Sequence, residues 1–176
     1  MATRNHNLSH FDSPLPDAGD MAFGIVVAEW NREVTESLLQ GAVRTLREAG
    51  CHEHNIHIKY VPGTFELTFG AQFFDEYTNV DAVIALGCVI QGDTRHFDFI
   101  CEGVTHGINQ VQIQWNMPVA FGVLTVNNMQ QALERCGGRL GNKGDEAAAT
   151  AINMVKLQIE MEADAPTTTP DRKTVN

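Results

Sequence analysis

Apolar and polar positions follow two different rhythms along this chain. Residues 23–29, FGIVVAE, form a short apolar run rich in β-branched side chains, which predicts a strand. Val34, Leu38, Ala42, Leu46 and Ala49 then recur at steps of three and four, the spacing of one helix face. Asn31 stands where that helix needs an N-cap, and Gly50 ends it. NIHIKYV (55–61) alternates and stops at Pro62-Gly63, so it predicts a second strand, and residues 65–76 read as a helix. AVIALGCVI (82–90) is apolar throughout, as a central strand covered on both faces must be. From Thr94 onward, Phe97, Ile100, Cys101, Val104, Ile108 and Val111 draw another helical stripe. PVAFGVLTV (118–126) is a fourth strand. Asn127 or Asn128 caps a short helix over 128–136, which Gly137-Gly138 stops. A last helix starts near Asp145 and Glu146, acids suited to a positive helix end, with Ala148, Ile152, Val155 and Ile159 on its apolar face.

The predicted order is β-α-β-α-β-α-β-α-α, without an internal repeat. Strands alternating with helices give an α/β fold: a four-stranded parallel sheet with helices on both faces. Residues 1–20 are polar and read as an extended or disordered arm, 21–161 as the folded domain, and 162–176 as a disordered tail. In such sheets ligands bind beyond the carboxyl ends of the strands. That rule selects Glu29-Trp30-Asn31, Val61 to Glu66, Cys88 to His96, and Leu124 to Asn128.

Composition narrows the partners. The length of 176 residues suits one domain with a substantial core. A net charge of −10 argues against nucleic acid and anionic membranes as partners. A small anionic substrate remains compatible, because local cations and helix N-termini can hold it. No apolar run approaches the roughly 20 residues needed to span a bilayer. The first 20 residues lack the apolar core of an export signal, so a cytoplasmic location is expected. Cys51, Cys88, Cys101 and Cys136 form no CxxC pair and read as reduced, mostly buried thiols. The seven histidines show no ligand spacing with acids, so no metal is expected.

Each candidate segment has two readings. In GDTRH (92–96), Gly92 permits close approach of a ligand, and Asp93 or Thr94 caps the following helix. The free N–H groups of that first turn can face a phosphate, or the turn is simply a capped helix start. His96 sits two or three residues into the helix, where imidazole can take and give a proton at neutral pH, or merely pack. Glu66, in VPGTFE (61–66), can hydrogen-bond a polyol or amide, or serve as an acid in a first helical turn. Trp30 offers a flat face for a heteroaromatic ring, or belongs to the core. Arg135, at the end of the short helix, has a sufficient structural reason there. Lys143, in GNKGDE (141–146), precedes a helix N-terminus but lacks P-loop spacing, and no GxGxxG follows the first strand.

Taken together, VPGTFEL, GCVIQGDTRHFDF, PVAFGVLT, ALERCG and GNKGDEAA, in this order over about residues 20 to 160, resemble the lumazine synthase family. The resemblance implies a flavodoxin-like three-layer sandwich. It implies condensation of 5-amino-6-(D-ribitylamino)uracil with 3,4-dihydroxy-2-butanone 4-phosphate to 6,7-dimethyl-8-ribityllumazine, the riboflavin precursor, with no metal or redox cofactor. By resemblance, Trp30 stacks on the pyrimidine, Thr64, Phe65 and Glu66 hold the ribityl chain, and Cys88, Val89 and Ile90 offer backbone contacts to the ring. Asp93 and Thr94 match the phosphate turn, Arg135 its countercharge, and His96 the proton-transfer residue. Phe121, Arg135 and Lys143 match positions contributed by a neighbouring subunit. Two positions depart from the usual pattern: Gln91 where many relatives carry arginine, and Trp30 where phenylalanine is more usual.

The resemblance also implies a homo-oligomer, a pentamer that often builds a 60-subunit shell, with riboflavin synthase as a partner. No insertion in CGGRLGNKG obstructs a shell, and the arm before residue 23 can add a strand to a neighbour's sheet. Two competitors remain: a cage that binds lumazine or flavin without turnover, and a generic phosphate-binding module. The first leaves the proton shuttle without work. The second leaves VPGTFE and GNKG unexplained.

Overall fold

The middle of the sheet explains the runs that are apolar on both faces. In the computed structural model, which describes residues 7–165, β1 (Phe23–Ala28) and β3 (Ala82–Ile90) are the inner strands of a parallel sheet. Its order is β2-β1-β3-β4, with β2 (Ile56–Val61) and β4 (Val119–Val126) at the edges. All six residues of β1 are buried, whereas edge strand β2 is half-buried only at its two ends and otherwise exposed.

Alternation along the strands sorts the core into two layers. Phe23, Ile25 and Val27 face α1 (Arg32–Glu48) and α5 (Lys143–Ala163), packing with Val34, Leu38, Leu46, Ala148 and Ile152. Val26, Ala28, Val83 and Ala85 face α2 (Leu67–Tyr77) and α3 (His96–Trp115), packing with Leu67, Phe74, Val104 and Ile108. This is the expected flavodoxin-like three-layer sandwich. Two glycines allow its closest approaches. A Cβ on Gly24 would overlap the Phe74 ring, and one on Gly144 would overlap the Leu38 carbonyl where α5 crosses α1. Asp145, buried at the start of α5, accepts from Arg44 Nη2 at 2.6 Å and from Thr45 Oγ1 at 3.3 Å, fastening the two helices.

Several expected boundaries move, α2 among them, which starts at Leu67 rather than residue 65. α3 starts at His96 rather than Thr94, so the histidine is the first helical residue. The short helix α4 (Met129–Leu133), capped by Asn128 Oδ1 accepting from Gln131 N at 3.0 Å, ends before Arg135. The chain then turns into a hairpin of β5 (Cys136–Gly138) and β6 (Gly141–Asn142). Gly137 (φ 112) and Gly141 (φ 83) occupy left-handed conformations there that other residues rarely adopt. α5 begins at Lys143, two residues before the acids, because Asn142 Oδ1 accepts from Gly144 N at 2.8 Å.

Residues 7–22 form no strand and lie against their own chain. Leu8 N donates to Leu140 O at 2.8 Å, Ala18 N to Ala49 O at 2.7 Å, and Leu8 and Ala18 are buried. Residues 1–6 of the expected arm and 166–176 of the expected tail lie outside the described residues. Among those described, no helix is long and apolar enough to cross a membrane.

Candidate active site

The pairing of β1 with β3 stops at Val27↔Leu86, while β3 stays paired with β4 up to Ile90↔Val126. One edge of β3 is therefore left bare over its last residues, and a cleft of about 510 Å3 opens there. This volume lies within the range of small-molecule sites. Its walls come from three turns: Trp30 and Asn31 after β1, Gly63 to Glu66 after β2, and Cys88 to Ile90 with His96 and Ile100 across the β3–α3 junction.

Each wall has a local cause. Trp30 is 71% exposed, which excludes the core reading and leaves its indole face free. Thr64 is buried, and its side chain packs where a Cβ on Gly87 would sit. Phe65 is half exposed and lies against Gly103 of α3. A Cβ on Gly63 would lie 3.0 Å from Glu66 Oε2 and 3.7 Å from Trp30 Cδ1, so carboxylate and indole converge on that glycine. The Cys88 carbonyl accepts from Asn31 Nδ2 at 2.9 Å, so residue 88 faces the bare edge. Strand alternation turns the N–H and C=O of Ile90 to the same side, where β1 no longer reaches. A donor and an acceptor side by side match the amide edge of a uracil. Burial pushes the Cys88 thiol up to about 12, so it stays protonated and offers its carbonyl rather than a nucleophile.

The turn at residues 91–95 is wholly exposed. Gly92 has open space around it and an ordinary φ, so no steric demand requires glycine there. Asp93 and Thr94 lie beside the cleft without lining it. Neither caps α3 in the expected way: Arg95 is its N-cap residue, with no side-chain cap. Thr94 Oγ1 instead accepts from His96 N at 3.4 Å. Arg95 turns away, its Nε 3.6 Å from Asp98 Oδ2 and its guanidinium 5.6 Å from the Phe99 ring centre. In the first turn the amides of His96, Asp98 and Phe99 already donate within the turn, to Thr94 Oγ1 and the Arg95 carbonyl, and no lysine or arginine is among the residues lining the cleft.

Phe121, Arg135 and Lys143 do not reach this cleft within the chain. Phe121 is half-buried on edge strand β4, opposite Ala85. Arg135 Nη1 donates to Gln131 O at 2.8 Å, serving a carbonyl of α4 from beyond its end. Lys143 Nζ lies 2.5 Å from Glu146 Oε1, and Lys143 N donates to Arg135 O at 2.8 Å, so the two cations stay neighbours.

Of the lining residues, Ile100 lay outside the segments selected at the strand ends, and Asn31 and Gly63 lay within them without a binding role assigned. Asn31 looked like a helix cap, yet it makes no side-chain cap bond and adopts a left-handed φ of 59°. Ile100 had a usable signal, since it lies four residues after His96 on the same helix face. Gly63 was read only as a turn residue.

The model of the family described as 6,7-dimethyl-8-ribityllumazine synthase matches residues 20–158. A protein of that name from Parabacteroides distasonis is 56% identical over 158 residues, 89% of this chain and 99% of its own length. One from Phocaeicola vulgatus is 52% identical over 163 residues, 92% of this chain and 97% of its own. One from Porphyromonas gingivalis is 54% identical over 159 residues, 90% of this chain and 99% of its own.

Proposed function

The chain belongs to the 6,7-dimethyl-8-ribityllumazine synthase family, and from that premise we propose how its cleft runs the reaction. The protein is an enzyme of riboflavin biosynthesis. It condenses 5-amino-6-(D-ribitylamino)uracil with 3,4-dihydroxy-2-butanone 4-phosphate to 6,7-dimethyl-8-ribityllumazine, releasing phosphate and water.

One observation carries the assignment of roles: a single cleft gathers an exposed indole, a carboxylate, a bare strand edge and a histidine. Trp30 stacks on the pyrimidine. Ile90, with Cys88 and Val89 beside it, reads the ring's amide edge through the backbone. Thr64, Phe65 and Glu66 hold the ribityl chain, the carboxylate accepting from its hydroxyls. The phosphate of the second substrate rests against the exposed turn before α3, at Asp93 and Thr94. Imine formation, phosphate loss, ring closure and dehydration each move protons, and His96 at the cleft rim is placed to shuttle them. Holding two substrates together contributes much of the remaining acceleration.

The missing countercharge comes from a second copy. Arg135, with Phe121 and Lys143, completes the cleft of an adjacent subunit. Apolar faces on opposite edges of the sheet support this reading. Ile58 and Tyr60 are exposed on β2, and Phe69, Phe73 and Tyr77 stack along α2 with ring centres 4.4 and 5.7 Å apart. On the β4 side, Met154, Leu157 and Met161 are exposed around a groove that Met117 and Pro118 also line. Exposed patches of this extent mark interfaces, and two unlike patches favour head-to-tail contact that closes into a ring. Five copies per ring and twelve rings per shell is the assembly the family resemblance favours.

The test is absorbance in the lumazine band after mixing the protein with both substrates, against the slow uncatalysed condensation. Clear acceleration is expected. Pyrimidine binding without acceleration, in protein shown by light scattering to be assembled, would instead identify a non-catalytic cage.

A further inference from the structure

We infer that Asn31 is a positioning residue, whose side-chain amide fixes the stacking face of Trp30 against the pyrimidine-reading edge of β3. The inference rests on the proposed pyrimidine site and deepens it. An asparagine at a helix N-cap ordinarily accepts from an amide of the first turn. Asn31 does not. Its carbonyl takes the Val34 and Thr35 amides at 2.9 and 3.1 Å, while its side chain spans 57 residues of sequence to donate to the Cys88 carbonyl. The backbone there is left-handed, a conformation that asparagine and glycine tolerate and most residues do not.

The position of this bond matters. β1 stops pairing with β3 at Leu86, so the Cys88 carbonyl has no strand partner. The Asn31 amide supplies the missing rung and ends the β1 edge there, leaving Ile90 as the next free donor and acceptor. Trp30, the preceding residue, is largely exposed, with its Cδ1 beside Gly63 of the second turn. Little packing holds an indole in that situation, so the backbone sets where the side chain starts and which staggered rotamers reach the strand edge. Tying that backbone to Cys88 sets both walls of the ring slot, indole and strand edge, in one frame. A slot set in advance binds its ring without ordering it first.

Asn31→Gly keeps the left-handed turn and removes the amide. Asn31→Asp keeps the shape and turns an acceptor toward the Cys88 carbonyl. Trp115→Phe in every protein makes Trp30 the sole tryptophan, since the chain has two. The measurements are KM for each substrate, kcat, melting temperature, and quenching of Trp30 fluorescence by the pyrimidine substrate alone. With Asn31→Gly, KM for the pyrimidine should rise about 10-fold, with kcat within about 2-fold. KM for the butanone phosphate and the assembly should be unchanged. Asn31→Asp should raise the pyrimidine KM further. An unchanged pyrimidine KM in both variants, while the parent protein still shows quenching, overturns the role of Asn31 alone. Equal rises in both KM values with a lowered melting temperature make the bond merely structural and also overturn it. No quenching in the parent protein removes the pyrimidine site itself, and this inference with it.

Discussion

The β1–α1 turn and the β3–α3 turn leave adjacent strands at the same end of the sheet, and they are built in opposite ways. The first is tied: Asn31 reaches Cys88, its carbonyl takes two helix amides, and Trp30 is carried on a fixed backbone. The second is open. Residues 91–95 are exposed, α3 starts without a side-chain cap, and Arg95 turns toward Asp98. On the proposed reading the difference matches the two substrates. A flat ring needs a rigid slot, which one chain can build from its own strands. A phosphate needs a countercharge, and on that reading the exposed second turn leaves room for one from outside the chain. On the proposed reading, one chain supplies the pyrimidine half whole and the phosphate half in part.

The largest effect should come from the residue between the halves. His96→Ala should lower turnover by about 10²-fold, a typical loss for a proton-transfer group. Assembly should persist, because the side chain is exposed; subunit dissociation measured by light scattering would make His96 structural. Next is the frame beneath the tied half. Asp145→Ala removes the carboxylate that holds Arg44 and Thr45, and should cost about 2 kcal/mol of stability by denaturant titration. An unchanged denaturation midpoint would remove that ion pair from the account. Arg135→Ala should raise KM for the butanone phosphate about 10-fold and leave the pyrimidine KM alone. Equal effects on both substrates would blur the proposed division between the turns.

The smallest effect concerns the floor of the tied half. Burial raises the Cys88 thiol from its ordinary 9.0 to about 12. The unfolded chain therefore releases this proton at lower pH than the folded chain. The stabilisation is fully present below pH 9.0 and is lost as pH rises toward about 12. Cys88→Ala should make stability fall less steeply with pH over that window, as read from denaturant midpoints. An unchanged slope would mean that Cys88 does not feel its burial. Burial also raises Cys51, Cys101 and Cys136, so the slope should shrink rather than vanish.

How much of this was legible in the sequence follows from the range of the forces involved. The run AVIALGCVI announced a central strand because burial on both faces demands apolar residues at every position. Glu66 and His96 were legible as edge residues because the ends of parallel strands fall in one place. Asn31 fell within the same selected edge, but its bond to Cys88 was not legible, because the partner lies 57 residues away and capping is what an asparagine there normally does. The exposure of Trp30 was equally hidden, since a tryptophan after a strand suits a core as well as a cleft. The hairpin after α4 was missed because Gly137-Gly138 reads as a helix stop whether or not a strand follows. Arg135 gave a further lesson: its structural role at the end of α4 was legible, but no local pattern shows that a single chain leaves it outside the cleft it is proposed to serve.

The central claim, that adjacent subunits share each site, can be tested by mixing two crippled proteins. His96→Ala and Arg135→Ala subunits, co-expressed in equal amounts and assayed at limiting butanone phosphate, each carry one defect. If neighbours share a site, about a quarter of the interfaces in a random ring pair an intact His96 with an intact Arg135. Activity should then rise well above the mean of the two parent proteins, toward about a quarter of the unmodified enzyme. Activity no higher than that mean would contradict the account, because it would place both residues in the cleft of one chain.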